Sequence, residues 1–262
     1  MRHPPTRQEL LLALACLALL LLALFAPALA QPAHAHDFAD RRALFGIPCA
    51  LDVLSNLPFA FAGVLGLFAL RSADACTPTQ RALAALFFAG LLATAAGSSW
   101  YHLRPDDAGL AIDRHAMSIA FAGLLGLLVA TQLSERGGAL TGAALLVLGP
   151  AAVQAWAATG NVLPWAVLQF GGMGMVVVLA FLPARPDAMR VRWGWVIAAY
   201  ALAKLCEVND HAVFDATQGL LSGHTLKHVV AALAAWPVIA AARQVPAMQN
   251  GRQEPAALAV RA

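Results

Sequence analysis

Seven apolar stretches, at about 47–70, 80–101, 110–132, 138–157, 161–182, 191–209 and 220–242, follow one another with only short breaks between them. Each is near the ~20 residues an α-helix needs to cross the hydrocarbon core of a bilayer. Inside lipid the backbone has no water to bond to, so every N–H and C=O must be paired within the segment, and runs of this length achieve that as helices. The breaks carry turn residues, as in Arg104-Pro105-Asp106-Asp107-Ala108-Gly109 and Pro183-Ala184-Arg185-Pro186-Asp187. Consecutive spans must then run antiparallel, and the expected fold is an all-α polytopic membrane protein, a seven-transmembrane-helix bundle. The charge content agrees: 12% of the 262 residues are charged, against about 25% in a soluble domain. The excess of 17 Lys+Arg over 14 Asp+Glu is too small and scattered for a nucleic-acid surface. Cys16, Cys49, Cys76 and Cys206 show no metal-binding spacing.

Residues 1–30 start with Arg2 and Arg7, run through an apolar segment from Leu10 to Phe25 and end in Ala28-Leu29-Ala30 before Gln31. A charged start, an apolar middle and a small-residue cleavage site are the order of a secretory signal peptide, with an uncleaved extra N-terminal membrane helix as the alternative. Under either reading residue 31 emerges on the outer side. Residues 31–243 then form the seven-helix domain, and 244–262 a disordered cytoplasmic tail. The loops agree, because arginine-rich loops stay in the cytoplasm. Arg71, Arg81, Arg136, Arg185, Arg190, Arg192, Arg243, Arg252 and Arg261 fall inside, against Arg41, Arg42 and Arg104 outside. The expected setting is the cell (inner) membrane with the C-terminus cytoplasmic. Trp100 and Tyr101, and Trp193 and Trp195, stand where interfacial aromatic residues belong.

Polar side chains within such spans are unfavourable, and those tolerated here cluster at one depth. Ser98 and His102 are four apart near the outer end of the second span, one turn apart on one face. A short loop returns Asp113 to the same level in the third. His224 and His228, in Ser222-Gly223-His224-Thr225-Leu226-Lys227-His228, are again four apart, near the outer start of the seventh. Three neutral imidazoles from two helices suit a tetrahedral zinc with one position open, and zinc lowers the pKa of its water to about 7. Asp113 is placed to take a proton from that water or to hold a histidine by its second ring nitrogen. Ser98 is placed to donate to an oxyanion forming on a carbonyl. These are the parts of a metal-assisted hydrolase; the plainer reading of the same residues is interhelical hydrogen bonding.

Other polar residues are less informative. His115 follows Asp113 by two and points off its face, toward packing or the substrate. Asp52, Ser55 and Asn56 in the first span, and Lys204 with Glu207 in the sixth, read as buried pairs. Glu207, Asp210 and His211 also flank the outer mouth, and Glu207 and His211 are candidates for the substrate side. The run Gly171-Gly172-Met173-Gly174 reads as a close helix approach.

The ordered pattern Ser98-x-x-x-His102, Asp113, His224-x-x-x-His228 on seven helices resembles the alkaline ceramidase family, within the wider group of membrane hydrolases that includes the adiponectin and progestin receptors. Asp52-Val53-Leu54-Ser55-Asn56-Leu57-Pro58-Phe59 is similar to that family's first-helix motif, in which an Asn usually stands at the position of Asp52. The likeness runs from about Asp37 to the end of the seventh span. It implies a zinc amidase that splits ceramide into sphingoid base and fatty acid. In that scheme His102, His224 and His228 hold zinc, Asp113 works on the water and Ser98 stabilises the oxyanion. It also implies calcium held by an acidic N-terminal cluster, of which Asp37 and Asp40 would be part, although Cys49 occupies the place of the family's first-helix glutamate.

The expectation is a zinc-dependent hydrolase of linear amide C–N bonds that takes ceramide or a ceramide-like N-acyl lipid from the bilayer, with no nucleic acid and no soluble protein partner. Ester or phospholipid acyl hydrolysis at the same site is one alternative. A receptor-like or regulatory protein with zinc as a structural staple is another. Haem ligation by the same histidines would give Ser98 and Asp113 no role.

Overall fold

The computed structural model describes residues 4–72 and 76–244, and every named element among them is a helix. The expected tail, 244–262, lies outside the described residues except for Gln244. In chain order the helices are α1 (Arg7–Phe25), α2 (Ala50–Leu54), α3 (Leu57–Ala69), α4 (Pro78–Leu103), α5 (Asp107–Gln132), α6 (Glu135–Thr159), α7 (Leu163–Ala166), α8 (Gly172–Ala180), α9 (Trp193–Val208), α10 (Asp210–Ala216), α11 (Gly223–Leu233) and α12 (Trp236–Ala242). A π-helical turn, Val167–Gly171, joins α7 to α8. The pairs α2–α3 and α11–α12 each make one span, as does the α7–α8 unit.

Among the described residues seven helices are long and apolar enough to cross a membrane, counting α1. They include six of the seven expected stretches. The remaining one, α9, has 16 residues, about 24 Å at 1.5 Å per residue and short of a ~30 Å hydrocarbon core. Polar residues end it: Asn209 Nδ2 donates to the Leu205 carbonyl at 2.7 Å, and α10 begins at Asp210.

The breaks act as N-caps. Thr77, Asp106, Ser134 and Ser222 accept from the backbone N–H of Gln80, Gly109, Gly137 and Thr225 at 3.2, 2.7, 3.0 and 2.9 Å. Each cap satisfies one of the donors that a helix start leaves over. From the caps at Thr77 and Asp106, α4 and α5 run side by side, and glycine lets them approach. A Cβ on Gly90 would overlap the Ala120 backbone, and one on Gly123 the Phe87 backbone. Leu127, Leu128 and Val129 of α5 are wholly buried as a result. In the glycine run, Gly171 lies against Leu19 of α1 and Gly172 against Leu125 of α5, whereas Gly174 faces open space. Trp195 is exposed as an interfacial residue should be, but Trp193 is not: it is buried in the core cluster with Leu128 and Val196, where the start of α9 turns it inward.

The two ends of the bundle are built differently. At one, Gln80 is fully buried and donates to Glu135 at 2.7 Å while accepting from the Met189 N–H at 2.8 Å. Arg185 completes this latch with bonds to Glu135 at 3.1 Å, Asp187 at 2.9 Å and the Ala130 carbonyl at 2.9 Å. Helix α1 joins the same end through Glu9, which accepts from the Ser134 hydroxyl at 2.6 Å. Helix α1 buries none of its own residues, yet it is tied at its far side too: the Leu29 N–H donates to Asn161 Oδ1 at 2.9 Å and the Leu29 carbonyl accepts from Val162 at 2.8 Å. That second end gathers residues 26–49, 104–106, 160–162 and 209–222, and the candidate site lies there.

Gly90→Val and Gly123→Val should each lower thermal stability in detergent by about 1–3 kcal/mol through overpacking of α4 on α5. Gly174→Ala should leave it nearly unchanged, since nothing lies within 4 Å of a Cβ there. A melt in which all three variants behave alike would contradict this packing.

Candidate metal centre

His102 comes from the last turn of α4, and His224 and His228 from the first turns of α11. Gly223 allows α11 to reach them, because a Cβ there would stand 2.7 Å from Asp210 Cα. Asp210 exploits the closeness: Oδ1 accepts from the His224 N–H at 2.7 Å and Oδ2 from the Ala39 N–H at 2.9 Å. The start of α10 thereby ties α11 to the segment before α2. One ring nitrogen from each of the three histidines lies within 4.8 Å of the others, and the ring centroids are 4.8, 5.0 and 4.9 Å apart. The three side chains are 0%, 8% and 3% exposed in chain order. This buried group could hold a metal ion.

Hydrogen bonding at His102 and His228 supports that use. Both ring nitrogens of His102 are buried without a partner. A neutral imidazole offers one donor and one acceptor, and each buried group left unmade costs roughly 1–3 kcal/mol. Nδ1 lies 4.0 Å from Asp52 Oδ2, also unpartnered, so a small rotation gives the carboxylate the N–H and leaves Nε2 as a lone pair for a cation. The other Asp52 oxygen accepts from Thr225 at 2.7 Å and Ser222 at 3.4 Å. His228 Nδ1 lies 2.8 Å from Ser55 Oγ, whose own proton goes to the Asp52 carbonyl at 2.9 Å. Ser55 can then only accept, so Nδ1 carries the N–H and Nε2 the lone pair. His224 differs: Lys227 Nζ donates to its Nε2 at 2.8 Å, so that lone pair is open to a cation only when the ammonium turns to Glu207, which it also meets at 3.2 Å and which pairs with Lys204 as well. Phe38 closes the group from the loop side, its ring 4.7 Å from that of His102 and 4.6 Å from that of His224.

Beside the histidines lies a cavity of about 400 Å³ lined by, among others, Ser98, Asp113, Arg114, Lys204, Glu207 and Lys227. Ser98 Oγ is 3.5 Å from His228 Nε2. Asp113 is 8% exposed and its Oδ1 has no partner, but it stands outside the three-histidine group. The fold brings the five residues expected from the sequence to one end of the bundle, three as a cluster and two along the adjoining cavity. A larger apolar crevice of about 630 Å³ separates α1 from α6 and contains no histidine.

The other candidates are placed as follows. Glu207 lines the cavity, shared between two lysines. His115 faces α6 instead, with Nδ1 2.6 Å from the Ala111 carbonyl and Nε2 3.2 Å from Gln154. His211 is exposed on α10 and does not line the cavity. Asp37 pairs with Arg41 at 2.6 Å, and Asp40 takes both Nε and Nη2 of Arg42 at 2.8 and 2.7 Å. The Arg42 hydrogen bonds hold the Asp40 carboxyl below the usual carboxylate range. Among the described residues the three histidines are the one group of histidine, cysteine or acidic side chains close enough to share a metal.

Asp52, Ser55 and Lys227 shape the site in ways the sequence does not assign, and Asp210, expected at the outer mouth, instead anchors the start of α11. For the first two a signal exists, because Asp52 and Ser55 are three apart on a span where polar groups are unfavourable. Lys227 is written inside the histidine motif itself. For Asp210 no local pattern exists, since its bonds to Ala39 and His224 depend on loop closure. No family model matches the chain, and neither a curated protein nor a solved structure does.

Proposed function

We propose that the protein is a membrane-embedded zinc hydrolase that cleaves the amide bond of a ceramide-like N-acyl lipid. The observation that carries this reading is His102, wholly buried with neither ring nitrogen partnered and within reach of two more imidazoles. Zinc suits three neutral imidazoles and, when bound, supplies a Lewis acid and a water with pKa about 7. Asp52 and Ser55 orient His102 and His228 by the nitrogens turned away from the group. Asp113, with its free Oδ1 in the cavity, accepts a proton from the attacking water and passes it to the leaving nitrogen. The water oxygen adds to the carbonyl carbon, the C–N bond breaks, and a fatty carboxylate and an amine result. Ser98 donates to the developing oxyanion; its 3.5 Å contact with His228 is long enough to leave the hydroxyl free to turn.

A lipid substrate fits the cavity's surroundings. Phe170 is 59% exposed and yet lines the cavity, together with Tyr200 and Lys204. The cavity thus reaches the outside of the bundle between the π-helical turn and α9, where an acyl chain can lie. The arginine bias of the loops supports an outer-face position for this end.

Three outcomes are expected. Purified protein should hold about one zinc per chain, and His102→Ala, His224→Ala and His228→Ala should each lose most of it, because two imidazoles bind far more weakly than three. Full zinc in all three variants by elemental analysis would refute the ligand set. Asp113→Asn and Ser98→Ala should keep the metal while losing turnover of a ceramide substrate, Ser98→Ala by roughly a hundredfold to a thousandfold and Asp113→Asn by more. Retained turnover would demote both to packing, and retained zinc with no turnover in the wild type would favour a structural metal. In a background lacking the four native cysteines, Asp107→Cys should react with a membrane-impermeant thiol reagent in intact cells and Arg136→Cys should not. The reverse pattern would put the site on the cytoplasmic face.

A further inference from the structure

The charges along the cavity exceed what a neutral sphingoid amide requires. Arg114 follows Asp113 on α5, and its guanidinium lies 4.2 Å from the Trp156 ring centroid and 5.8 Å from that of Trp165. These aromatic faces hold the group in place but accept no directed N–H bond of ordinary strength, and Nη1 is buried with no hydrogen-bond partner. On the α9 and α11 side, Lys204 and Lys227 share the single carboxylate of Glu207. With Asp113 included, the lining carries three cations against two carboxylates before any metal is counted. Arg114 as a whole is half-buried, but its buried Nη1 donor is unfavourable while unmade, and an anion would complete it. A guanidinium fixed against aromatic rings presents a planar fork that matches a carboxylate or phosphate.

We infer that Arg114, aided by the lysine charge that Glu207 leaves unneutralised, forms an anion subsite for the substrate's headgroup. The substrate class is then an N-acyl lipid whose amine portion bears a carboxylate or a phosphate. This rests on the hydrolase reading for the word substrate, but the subsite itself is a binding property and can be measured without catalysis. Arg114 lies seven residues into α5, about 10 Å from its start, so the anion sits deeper in the bundle than the α4 end that carries His102. Asp113, next in sequence, keeps its unpaired oxygen in the same cavity, where a neutral donor of the headgroup can meet it.

The test uses the full-length protein and three probes sharing one oleoyl amide: N-oleoylglycine, the phosphate monoester of N-oleoylethanolamine, and neutral N-oleoylethanolamine. Affinity is read after chelation, so that no metal–anion contact contributes, and turnover is read with zinc restored. At least one anion should bind about tenfold more tightly than the neutral amide and be cleaved in preference to it. Arg114→Gln should erase that margin, Arg114→Lys should restore part of it, and Lys204→Gln should narrow it, the last serving also if the arginine variants do not fold. Equal affinity for all three probes in the wild type, or a margin that survives Arg114→Gln, overturns the subsite. If oleate alone binds as tightly as N-oleoylglycine with the same dependence on Arg114, the group holds the product carboxylate and the headgroup assignment falls. An Arg114-dependent margin with no turnover of any probe upholds the subsite and removes the hydrolase reading instead.

Discussion

A neutral imidazole buried in an apolar bundle needs one acceptor for its N–H and one donor or cation for its lone pair, and that need organises this end of the molecule. His228 meets half of it through Ser55, whose proton is already committed to the Asp52 carbonyl. His102 meets neither half, although Asp52 waits 4.0 Å away. Two unmade bonds at roughly 1–3 kcal/mol each are a large fraction of the 5–15 kcal/mol that holds an ordinary domain folded. The second span carries this cost with His102 wholly buried and α4 held close against α5 by glycine contacts.

The contrast with the opposite end is instructive. There Gln80, Glu135, Arg185 and Asp187 are as polar as the site, but each finds its partner: the Gln80 amide both donates and accepts, and Glu135 takes bonds from Thr77, Gln80 and Arg185. These four residues join α4, α6 and the connection into α9, although Gln132 Oε1 and Trp193 Nε1 nearby remain unpartnered. At the histidine end the polar atoms converge without closing: His102, Asp52 Oδ2, Asp113 Oδ1 and Arg114 Nη1 are all left open. Stability is invested at one end of the bundle and binding capacity at the other.

The spans, their caps and the convergence of His102, His224 and His228 were readable because each rests on a local periodicity, twenty apolar residues, a Ser, Thr or Asp at a break, a spacing of four; Asp113 stands level with Gly97, about one turn below His102. What the sequence did not disclose depends on relations across the fold. Asp52 looked like helix glue until α11 brought Thr225 and α4 brought His102 against it. The π-helical turn that sets Gln169 inward has no composition signal of its own, and neither does the early end of α9, where Asn209 and Asp210 interrupt a stretch that hydropathy carries one residue further. Trp193 shows the same limit, since an indole near a span end suits an interface or a core equally well and only packing decides.

Phe38 sets the order in which molecules can come and go. Its ring, 6% exposed, lies on His102 and His224, and the backbone N–H of the next residue is fastened to Asp210, so the loop side of the triad is shut. The remaining approach runs through the cavity that His224 and His228 share with Asp113 and Arg114. Among the described residues, anything lodged in that cavity stands between His224 and His228 and the outside of the bundle. A metal held by the three histidines would then exchange slowly while the cavity is filled and quickly when it is empty, with no moving lid required.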